Sequence, residues 1–345
     1  MTGQIKGLGG LLLYPPYILY RSGVFLKNSS FSLGLEKPVK PDAHIISAGG
    51  LSFGGSGKTP MAIYLAESAA KLKRGSKKTA VISRGYGRSS RGFVIVSDGH
   101  RIQTSPAEAG DELYVLAKRS PSTVVIADEN RVRGAEFAIR TFGCDTIILD
   151  DCFQHRQIGR DADIVMLEPE TVVNPGSYFL RERLSALKRA DYIVVLDADV
   201  SARGKLERKI ANYSNAELFW GWRIPERFVS LRDGSFLSDE ELKYRKTAAF
   251  CAIANPGRFA ATLNGLGIFP NGLLSFPDHC KYGPKDLDRL SRYFVTSGAE
   301  VLLTTEKDSV KLPGLLSTLP IYYLTIGLEI ENNQDFVSRV FSQPE

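Results

Sequence analysis

One stretch of the sequence decides the fold, residues 45–59, and it reads Ile45-Ile46-Ser47-Ala48-Gly49-Gly50-Leu51-Ser52-Phe53-Gly54-Gly55-Ser56-Gly57-Lys58-Thr59. An apolar strand enters a glycine-rich turn that ends in Lys-Thr and opens a helix, which is how a polypeptide holds a triphosphate. Glycines let the backbone bend so closely that successive N–H groups point at phosphate oxygens, and the positive end of the helix dipole adds to the attraction. The stretch therefore predicts nucleotide binding.

Positions within this loop have separate expected roles. Lys58 is expected to reach the β- and γ-phosphates, and Thr59 is expected to ligate Mg²⁺. The match to G-x-x-x-x-G-K-[ST] is imperfect because Ser52 stands where the first glycine belongs. The predicted nucleotide-binding residues are Ser52, Phe53, Gly54, Gly55, Ser56, Gly57, Lys58 and Thr59.

Length and composition favour two domains in a reducing compartment. The chain has 345 residues and 43% hydrophobic content, which suits a substantial core and two domains more readily than one. The cysteines form no CxxC pair and follow no cleavable signal; they are Cys144, Cys152, Cys251 and Cys280. Structural disulfides and zinc are therefore not expected, and the default compartment is the cytoplasm.

Most of the excess positive charge lies at the start of the chain. Residues 1–40 carry five Lys or Arg and one Glu, a net charge of +4 out of +6 for the whole chain. The uncharged residues 7–20 are interrupted by Pro15-Pro16, and as a helix they would span about 21 Å, short of a hydrocarbon core of roughly 30 Å. The segment therefore either lies in a membrane interface or packs on the chain's own core, and both interpretations stay open. No aromatic-basic interleaving accompanies the charge, so nucleic-acid binding is not predicted.

Apolar runs alternate with helical patterns after the glycine-rich loop. Strands that are apolar throughout and alternate with helices indicate a parallel sheet covered on both faces. The sequence thus predicts a P-loop, doubly wound, mostly parallel α/β fold with ligands at the carboxyl ends of its strands. The predicted strands are Thr79 to Ser83, Thr123 to Ala127, Thr146 to Leu149, Ile164 to Leu167 and Tyr192 to Leu196, and the helices between them include Glu108 to Lys118 and Val132 to Thr141.

The pattern of apolar residues changes around residues 217–236, from uninterrupted runs to short alternating stretches. Leu218 to Trp222 and Phe228 to Leu231 are short alternating stretches, and Arg232-Asp233-Gly234 reads as a turn. Beyond them, strand and helix patterns resume and predict a second, smaller α/β domain. The predicted organisation is an N-terminal membrane-interacting segment over 1–40, a nucleotide-binding domain over 41–216, a two-stranded connector over 217–236 and the smaller C-terminal domain over 237–345.

Two acids follow one of the predicted strands. The apolar run 146–149 ends in Asp150 and Asp151, the form of a Walker B element whose carboxylate holds Mg²⁺ directly or through water. Taken alone, such a pair is more often a turn or a helix cap, and the nearby phosphate loop favours the metal. Asp150, Asp151 and Thr59 are therefore the predicted metal ligands.

Two of the four histidines lie in turn-like settings. His155 follows the acid pair, and His279 follows Asp278. Either His279 or a carboxylate that it orients is a candidate to deprotonate a substrate hydroxyl. The alternative for this region is a plain turn in which Asp278 caps the next helix, and Asp111 is by the same reasoning only an acid that complements a helix dipole.

Taken together, the motifs resemble those of the tetraacyldisaccharide 4′-kinase family, over nearly the entire chain. Ser52 departs from the generic phosphate-loop pattern but not from the pattern of this family. Eight ordered matches are far more specific than a phosphate loop alone. They are GGSGKTP at Gly54 to Pro60, SRGYGR at Ser83 to Arg88, GDE at Gly110 to Glu112, DDCFQH at Asp150 to His155, LRERLSALKRAD at Leu180 to Asp191, ANPGRF at Ala254 to Phe259, FPDH at Phe276 to His279 and TTEKD at Thr304 to Asp308.

The resemblance implies a function that the motifs alone do not give. It implies ATP- and Mg²⁺-dependent phosphorylation of the 4′-hydroxyl of a tetraacylated glucosamine disaccharide 1-phosphate, at the cytoplasmic face of a bacterial inner membrane. It also implies that Asp111 and His279 activate the hydroxyl, with Lys58 on the phosphates. Further active-site candidates carried over from the family are Arg131, Gln154, His155, Arg181 and Glu182.

A different membrane-associated P-loop ATPase or kinase is the alternative. Partitioning and targeting ATPases also join a phosphate loop to an amphipathic segment, but their loops carry a signature lysine where this chain has Phe53. The acyl-chain preference and the oligomeric state do not follow from the sequence.

Overall fold

The computed structural model describes residues 7–53, 57–72, 78–312 and 319–342, and for residues 7–16 and 20 it describes the backbone alone. Within these residues the strands form one sheet in the order β11-β10-β12-β13-β8-β7-β6-β1-β5-β2-β4-β3, with β9 beside β8. The strands are β1 His44–Gly50, β2 Lys78–Ser83, β3 Val94–Asp98, β4 Val124–Ala127, β5 Cys144–Asp150, β6 Ala162–Leu167, β7 Tyr192–Leu196, β8 Glu217–Ser230, β9 Phe236–Leu237, β10 Thr247–Cys251, β11 Leu273–Ser275, β12 Val301–Thr305 and β13 Ile321–Ile330.

Neighbouring strands run parallel except at three places. The antiparallel pairs are β3 with β4 at one edge, β9 with β8, and β8 with β13 in the middle of the sheet. The helices are α1 Gly7–Ser32, α2 Lys58–Lys71, α3 Pro106–Ala109, α4 Asp111–Arg119, α5 Arg131–Phe142, α6 Pro169–Val173, α7 Arg203–Ala211, α8 Asp239–Lys243, α9 Pro256–Gly265, α10 Pro284–Ser297, α11 Glu306–Ser309 and α12 Asn333–Val340.

Both faces of the sheet are covered, as the uninterrupted apolar strands predict. On β1, Ile46 and Ala48 pack with the apolar faces of α2 and α4, whereas the alternate residue Ile45 packs with α5 on the other side. A strand buried on both faces needs apolar residues at successive positions rather than at every second one. The predicted mostly parallel α/β class is confirmed, and it brings the carboxyl ends of β1, β2, β5, β6 and β7 to one edge.

The region predicted as a two-stranded connector differs in its details. The two short stretches of the prediction belong to one strand, β8, whose antiparallel partner β13 comes from the end of the chain. The turn at Arg232-Asp233-Gly234 is present and leads into β9. The ribbon of β8 and β13 separates what we call the first half (β1–β7) from the second half (β10–β12), and the domain bounds themselves stay a prediction.

Through its described side chains, the N-terminal helix α1 packs on the rest of the chain by one face. Tyr17 Oη donates to the carbonyl of Leu180 at 2.9 Å, and the ring of Phe31 is buried. Pro15-Pro16, which interrupts the apolar run of the sequence, lies inside this helix. Each proline removes only one helical hydrogen bond, and residues on both sides remain helical. Within the described residues, no helix combines the length and the apolar character that a membrane crossing needs.

Candidate active site

The turn between β1 and α2 brings a helix N-terminus against the neighbouring strand ends. Gly57 has a φ of 80°, and a Cβ there would collide with the side chain of Leu196 at the end of β7. At the end of β1, a Cβ on Gly49 would come within 2.5 Å of Phe153 Cβ. Glycine is therefore required at both positions. Gly54, Gly55 and Ser56, predicted to bind nucleotide, lie outside the described residues.

Lys58, at the start of α2, lies beside the acid that follows β5. Its Nζ is 3.6 Å from Asp151 Oδ1, and Arg181 Nη1 is 2.7 Å from the same oxygen. Burial acts to raise the pKa of Asp151, but the charges of Lys58 and Arg181 outweigh it and lower the pKa below its ordinary value. Asp151 is therefore ionised at neutral pH, between two cations.

The neighbouring Asp150 is in the opposite electrostatic situation. It is buried, and Ser83 Oγ donates to its Oδ2 at 3.0 Å. Burial first, and then the negative charges of Asp151 and Glu112, raise its pKa to about 7. A carboxylate crowded by other carboxylates favours a nearby cation, since a positive charge restores its ionised form. We call Lys58, Asp150, Asp151 and Arg181 the phosphate-side cluster.

Glu112, in the first turn of α4, is a residue that the sequence reasoning missed as a site member. Thr59 Oγ1 donates to Glu112 Oε2 at 3.2 Å, and Lys307 Nζ donates to Glu112 Oε1 at 3.0 Å. The GDE motif was the available signal, but an acid at a helix start is by default a dipole partner. The contacts with Thr59 of α2 and with Lys307 of α11, in the second half, distinguish Glu112 from that default.

Asp111 and His279 meet although they come from different halves. His279 Nδ1 is 3.3 Å from Asp111 Oδ2, and Lys307 Nζ is 3.3 Å from His279 Nε2. His279 has a φ of 59°, a conformation unusual for a residue with a side chain. Burial acts to raise the pKa of Asp111, but the hydrogen bond with His279 and the charge of Lys311 outweigh it and lower the pKa. We call Asp111, Glu112, His279 and Lys307 the cross-half cluster.

Three of the other predicted residues border the phosphate-side cluster. Gln154 Nε2 donates to the carbonyl of Gly50 at 3.0 Å and so joins the loop after β5 to the end of β1. Arg131 is buried, and its Nη1 donates to the carbonyl of Asp128 at 2.6 Å. Burial, and then the charge of Arg131, lower the pKa of His155 to about 4, so His155 is neutral at physiological pH.

Ser52, Phe53 and Glu182 contact the chain around the site rather than its centre. Ser52 forms a bridge with Leu180, and the guanidinium of Arg181 lies over the Phe53 ring, 5.3 Å from its centroid. Glu182 accepts hydrogen bonds from Asn28 of α1 at 2.5 Å and from Arg189 at 2.8 Å. Glu182 therefore anchors α1, a contact that the sequence did not predict.

The donor groups near Lys58 suit a hard divalent cation. Asp150, Asp151 and Thr59 offer only oxygen atoms, the ligands that Mg²⁺ prefers, and Asp150 Oδ1 is buried with no hydrogen-bond partner among the described residues. In the described part of the chain, no three His, Cys, Asp or Glu side chains are grouped to hold a metal by themselves. Phosphate oxygens of a nucleotide would complete the coordination, so the predicted ligand set stays a prediction that these residues fit.

Parallel strands that end in carboxylates, beside a helix that begins with Lys-Thr, are the arrangement that α/β phosphotransferases use. The fold and the site define a protein of that class. Comparison with known proteins narrows the class. The family model for tetraacyldisaccharide-1-P 4′-kinase matches residues 10–343, and the chain belongs to that family.

Individual relatives agree with this assignment. The tetraacyldisaccharide 4′-kinase of Halothermothrix orenii is 37% identical over 314 residues, which cover 85% of this chain and 80% of the relative. That of Aquifex aeolicus is 32% identical over 337 residues, 95% of this chain and 97% of the relative. A crystal structure of the Aquifex aeolicus LpxK in complex with ATP superposes with a TM-score of 0.76 at 30% identity, covering 95% of this chain and 97% of that one.

Proposed function

We propose that this protein transfers the γ-phosphoryl group of ATP to the 4′-hydroxyl of a tetraacyldisaccharide 1-phosphate, with Mg²⁺ as the second cofactor. One observation carries the proposal: Thr59, which follows Lys58 of the phosphate-side cluster, donates a hydrogen bond at 3.2 Å to Glu112 of the cross-half cluster. A residue next to Lys58 is thereby joined to the residue next to Asp111. Family membership supplies the identity of the donor and the acceptor.

The phosphate-side cluster would hold and neutralise the transferring group. Phosphoryl transfer needs alignment and charge neutralisation more than covalent chemistry from the protein. Lys58 supplies a positive charge at the helix start, and Arg181 adds a second cation at 2.7 Å from Asp151. Asp150, Asp151 and Thr59 would hold Mg²⁺, which when bound neutralises the charge that develops on the phosphate oxygens.

The pair of Asp111 and His279 would take the proton of the attacking hydroxyl. Lys307 Nζ lies 3.3 Å from His279 Nε2, a distance at which the ammonium donates and the ring nitrogen accepts. His279 Nδ1–H then faces Asp111 Oδ2, and the carboxylate fixes both the tautomer and the orientation of the ring. Glu112, which also binds Lys307, offers the ammonium a second partner when a hydroxyl takes its place at Nε2.

The exposed face of α1 supports action at a membrane surface. Four of the large apolar side chains described for α1 lie on the outside of the helix, spaced along one face: Ile18, Leu19, Phe25 and Leu26, each between 48% and 74% exposed. Apolar side chains at this spacing, with Arg21 and Lys27 on the same helix, fit an interface with anionic lipid. We infer that α1 docks the protein on the cytoplasmic face of the inner membrane, where an acylated substrate resides.

A direct assay tests the function. The full chain is incubated with γ-labelled ATP, Mg²⁺ and tetraacyldisaccharide 1-phosphate in mixed micelles, and the labelled bisphosphorylated lipid is quantified. Lys58→Ala is expected to lower the rate by about 10³-fold, because one cation that contacts the transferring group is lost. Lys71→Ala is the matched control, since Lys71 is exposed at the far end of the same helix.

Two results would contradict the proposal. One is ATP hydrolysis that proceeds equally with and without the disaccharide, which would indicate an ATPase instead of a lipid kinase. The other is label incorporated at a position that 4′-specific fragmentation of the product excludes.

A further inference from the structure

Arg119, the last residue of α4, binds carboxylates from three other elements. Its Nη2 is 2.8 Å from Glu226 Oε2 of β8 and 3.5 Å from Glu67 Oε1 of α2. Its Nη1 is 3.5 Å from Glu306 Oε2 of α11. The Arg119 side chain is only 16% exposed, so these pairs are shielded from solvent far more than ordinary surface ion pairs.

The backbone of β8 is irregular at the residue that binds Arg119 most closely. Opposite β13, Thr325 pairs with Arg227 and Ile326 pairs with Pro225, so Glu226 is the extra residue of a β-bulge. A Cβ on Gly327 of β13 would collide with the Glu226 carboxylate. The bulge and this glycine together leave room for the Glu226 side chain to turn towards α4. The ribbon of β8 and β13 therefore contacts α4 at its β-bulge, through Glu226 and Arg119.

Arg119 and the cross-half cluster share the same two helices. Asp111 and Glu112 open α4, and Arg119 closes it. Glu306, a partner of Arg119, immediately precedes Lys307 in α11. A shift of α11 relative to α4 would therefore stretch the pair of Arg119 with Glu306 and the pair of Lys307 with Glu112 together. The two ion pairs hold one interface at different points along α4.

We propose that Arg119 is a positioning residue: by holding Glu226 of the ribbon and Glu306 of α11, it fixes Lys307 and His279 against Asp111 and Glu112. This role rests on the proposed phosphoryl transfer, whose acid–base pair it would align. Arg119 touches neither substrate nor nucleotide in this assignment. The charged and titratable groups around Arg119 and its partner Glu306 are Glu67 of α2, Lys118 of α4, Glu226 of β8 and Tyr323 of β13.

The experiment compares Arg119→Gln and Arg119→Lys with the unaltered chain. Arg119→Gln is expected to lower kcat by about 10- to 100-fold, as a misplacement of reacting groups by about 1 Å does, and to leave both KM values within about twofold. Arg119→Lys keeps the charge but loses the planar fork, so it is expected to recover part of kcat. Arg140→Gln is the matched control, because Arg140 pairs with Glu136 at 3.2 Å on the exposed surface of α5.

A second readout does not depend on turnover. The imidazole resonances of the four histidines are recorded by ¹H–¹⁵N spectroscopy in the full chain and in each variant. In Arg119→Gln the His279 ring signals are expected to move, whereas those of the exposed His100 stay in place. If Arg119→Gln does not fold, Glu226→Gln replaces it, since that change keeps the backbone of the bulge and removes the negative charge nearest to Arg119.

The outcomes separate the two proposals. Normal kcat together with unshifted His279 signals in Arg119→Gln, or in Glu226→Gln where the first variant does not fold, would overturn the positioning role and leave the kinase function intact. Raised KM for ATP with unchanged kcat would also overturn it, because Arg119 would then act on binding. Absence of lipid phosphorylation by the unaltered chain would instead contradict the proposed function, and the His279 signals would still test the contact.

Discussion

The phosphate-side cluster and the cross-half cluster are assembled over very different lengths of chain. On the phosphate side, Asp151 meets Arg181, 30 positions away, and Lys58, 93 positions away. His279 and Asp111 are 168 positions apart, and Lys307 and Glu112 are 195 positions apart. The first cluster follows from neighbouring strand ends of one parallel sheet, whereas the second exists only when the two halves pack. Substitutions in the phosphate-side cluster and substitutions in the cross-half cluster should therefore have different effects on activity.

The largest expected effect is on the phosphate side. Asp151→Asn leaves Lys58 and Arg181 without the carboxylate between them, and kcat is expected to fall by about 10³-fold with a higher Mg²⁺ requirement. The measurement is the lipid phosphorylation rate as a function of Mg²⁺ concentration. Asp145→Asn, at the opposite end of β5, is the control and should behave like the unaltered chain. An unchanged Mg²⁺ dependence in Asp151→Asn would remove Asp151 from the predicted metal ligands.

The next effect tests whether the cross-half pair acts as a unit. Asp111→Ala and His279→Ala are each expected to lower kcat by about 10²-fold, and the double variant should be little worse than either one. Steady-state kinetics of the three variants give the coupling between the two residues. His100→Ala is the control. Fully additive losses would show that the two residues act independently, in spite of their 3.3 Å contact.

A smaller effect separates the lipid acceptor from the nucleotide. The double change Phe25→Ser with Leu26→Ser removes two exposed apolar side chains from α1 and is expected to weaken binding to anionic vesicles by about 10-fold. In detergent micelles, the KM for ATP should stay the same. Phe269→Ser is the control because Phe269 is 72% exposed and belongs to the loop between α9 and β11. Equal vesicle binding by both variants would contradict docking through α1.

The smallest expected effect concerns Glu306 and the stability of the packed halves. Burial raises the pKa of Glu306 to about 7, although the charge of Arg119 opposes this. The folded state therefore holds a proton more tightly than the unfolded state, and the free energy of unfolding falls as the pH rises from about 4.5 to about 7. Glu306→Gln should remove most of this decline, measured by urea unfolding at pH 5 and pH 8. A pH dependence equal to that of the unaltered chain would contradict the assignment.

Local sequence patterns predicted most members of the phosphate-side cluster. The strand, the glycine turn and the helix start are consecutive in the chain, so their geometry follows from residues within about one turn of each other. The acid pair at Asp150 and Asp151 follows an apolar strand that has to lie beside β1 in a parallel sheet. The sequence pattern did not predict that the two aspartates differ in pKa. Only burial and the neighbouring charges lower the pKa of Asp151 and raise that of Asp150 to about 7.

The cross-half cluster was predictable only in part. The family resemblance implied that Asp111 and His279 act together, but no local pattern separates them from a helix start and a turn. Glu112 and Lys307 belong to quoted motifs, yet their contact is visible only in the packed structure. The pairing of β8 could likewise not be predicted from local pattern, because its partner β13 comes from the end of the chain.

By itself, the sequence determined the parallel α/β class and the family, because apolar periodicity and consecutive motif residues act over short distances. The tertiary structure alone decided which charges meet. Arg119 finds Glu226 and Glu306, and His44 Nε2 contacts the carbonyl of Val340 at 2.8 Å across 296 positions of chain. Such contacts depend on how distant elements pack, and on the desolvation and charge that packing creates.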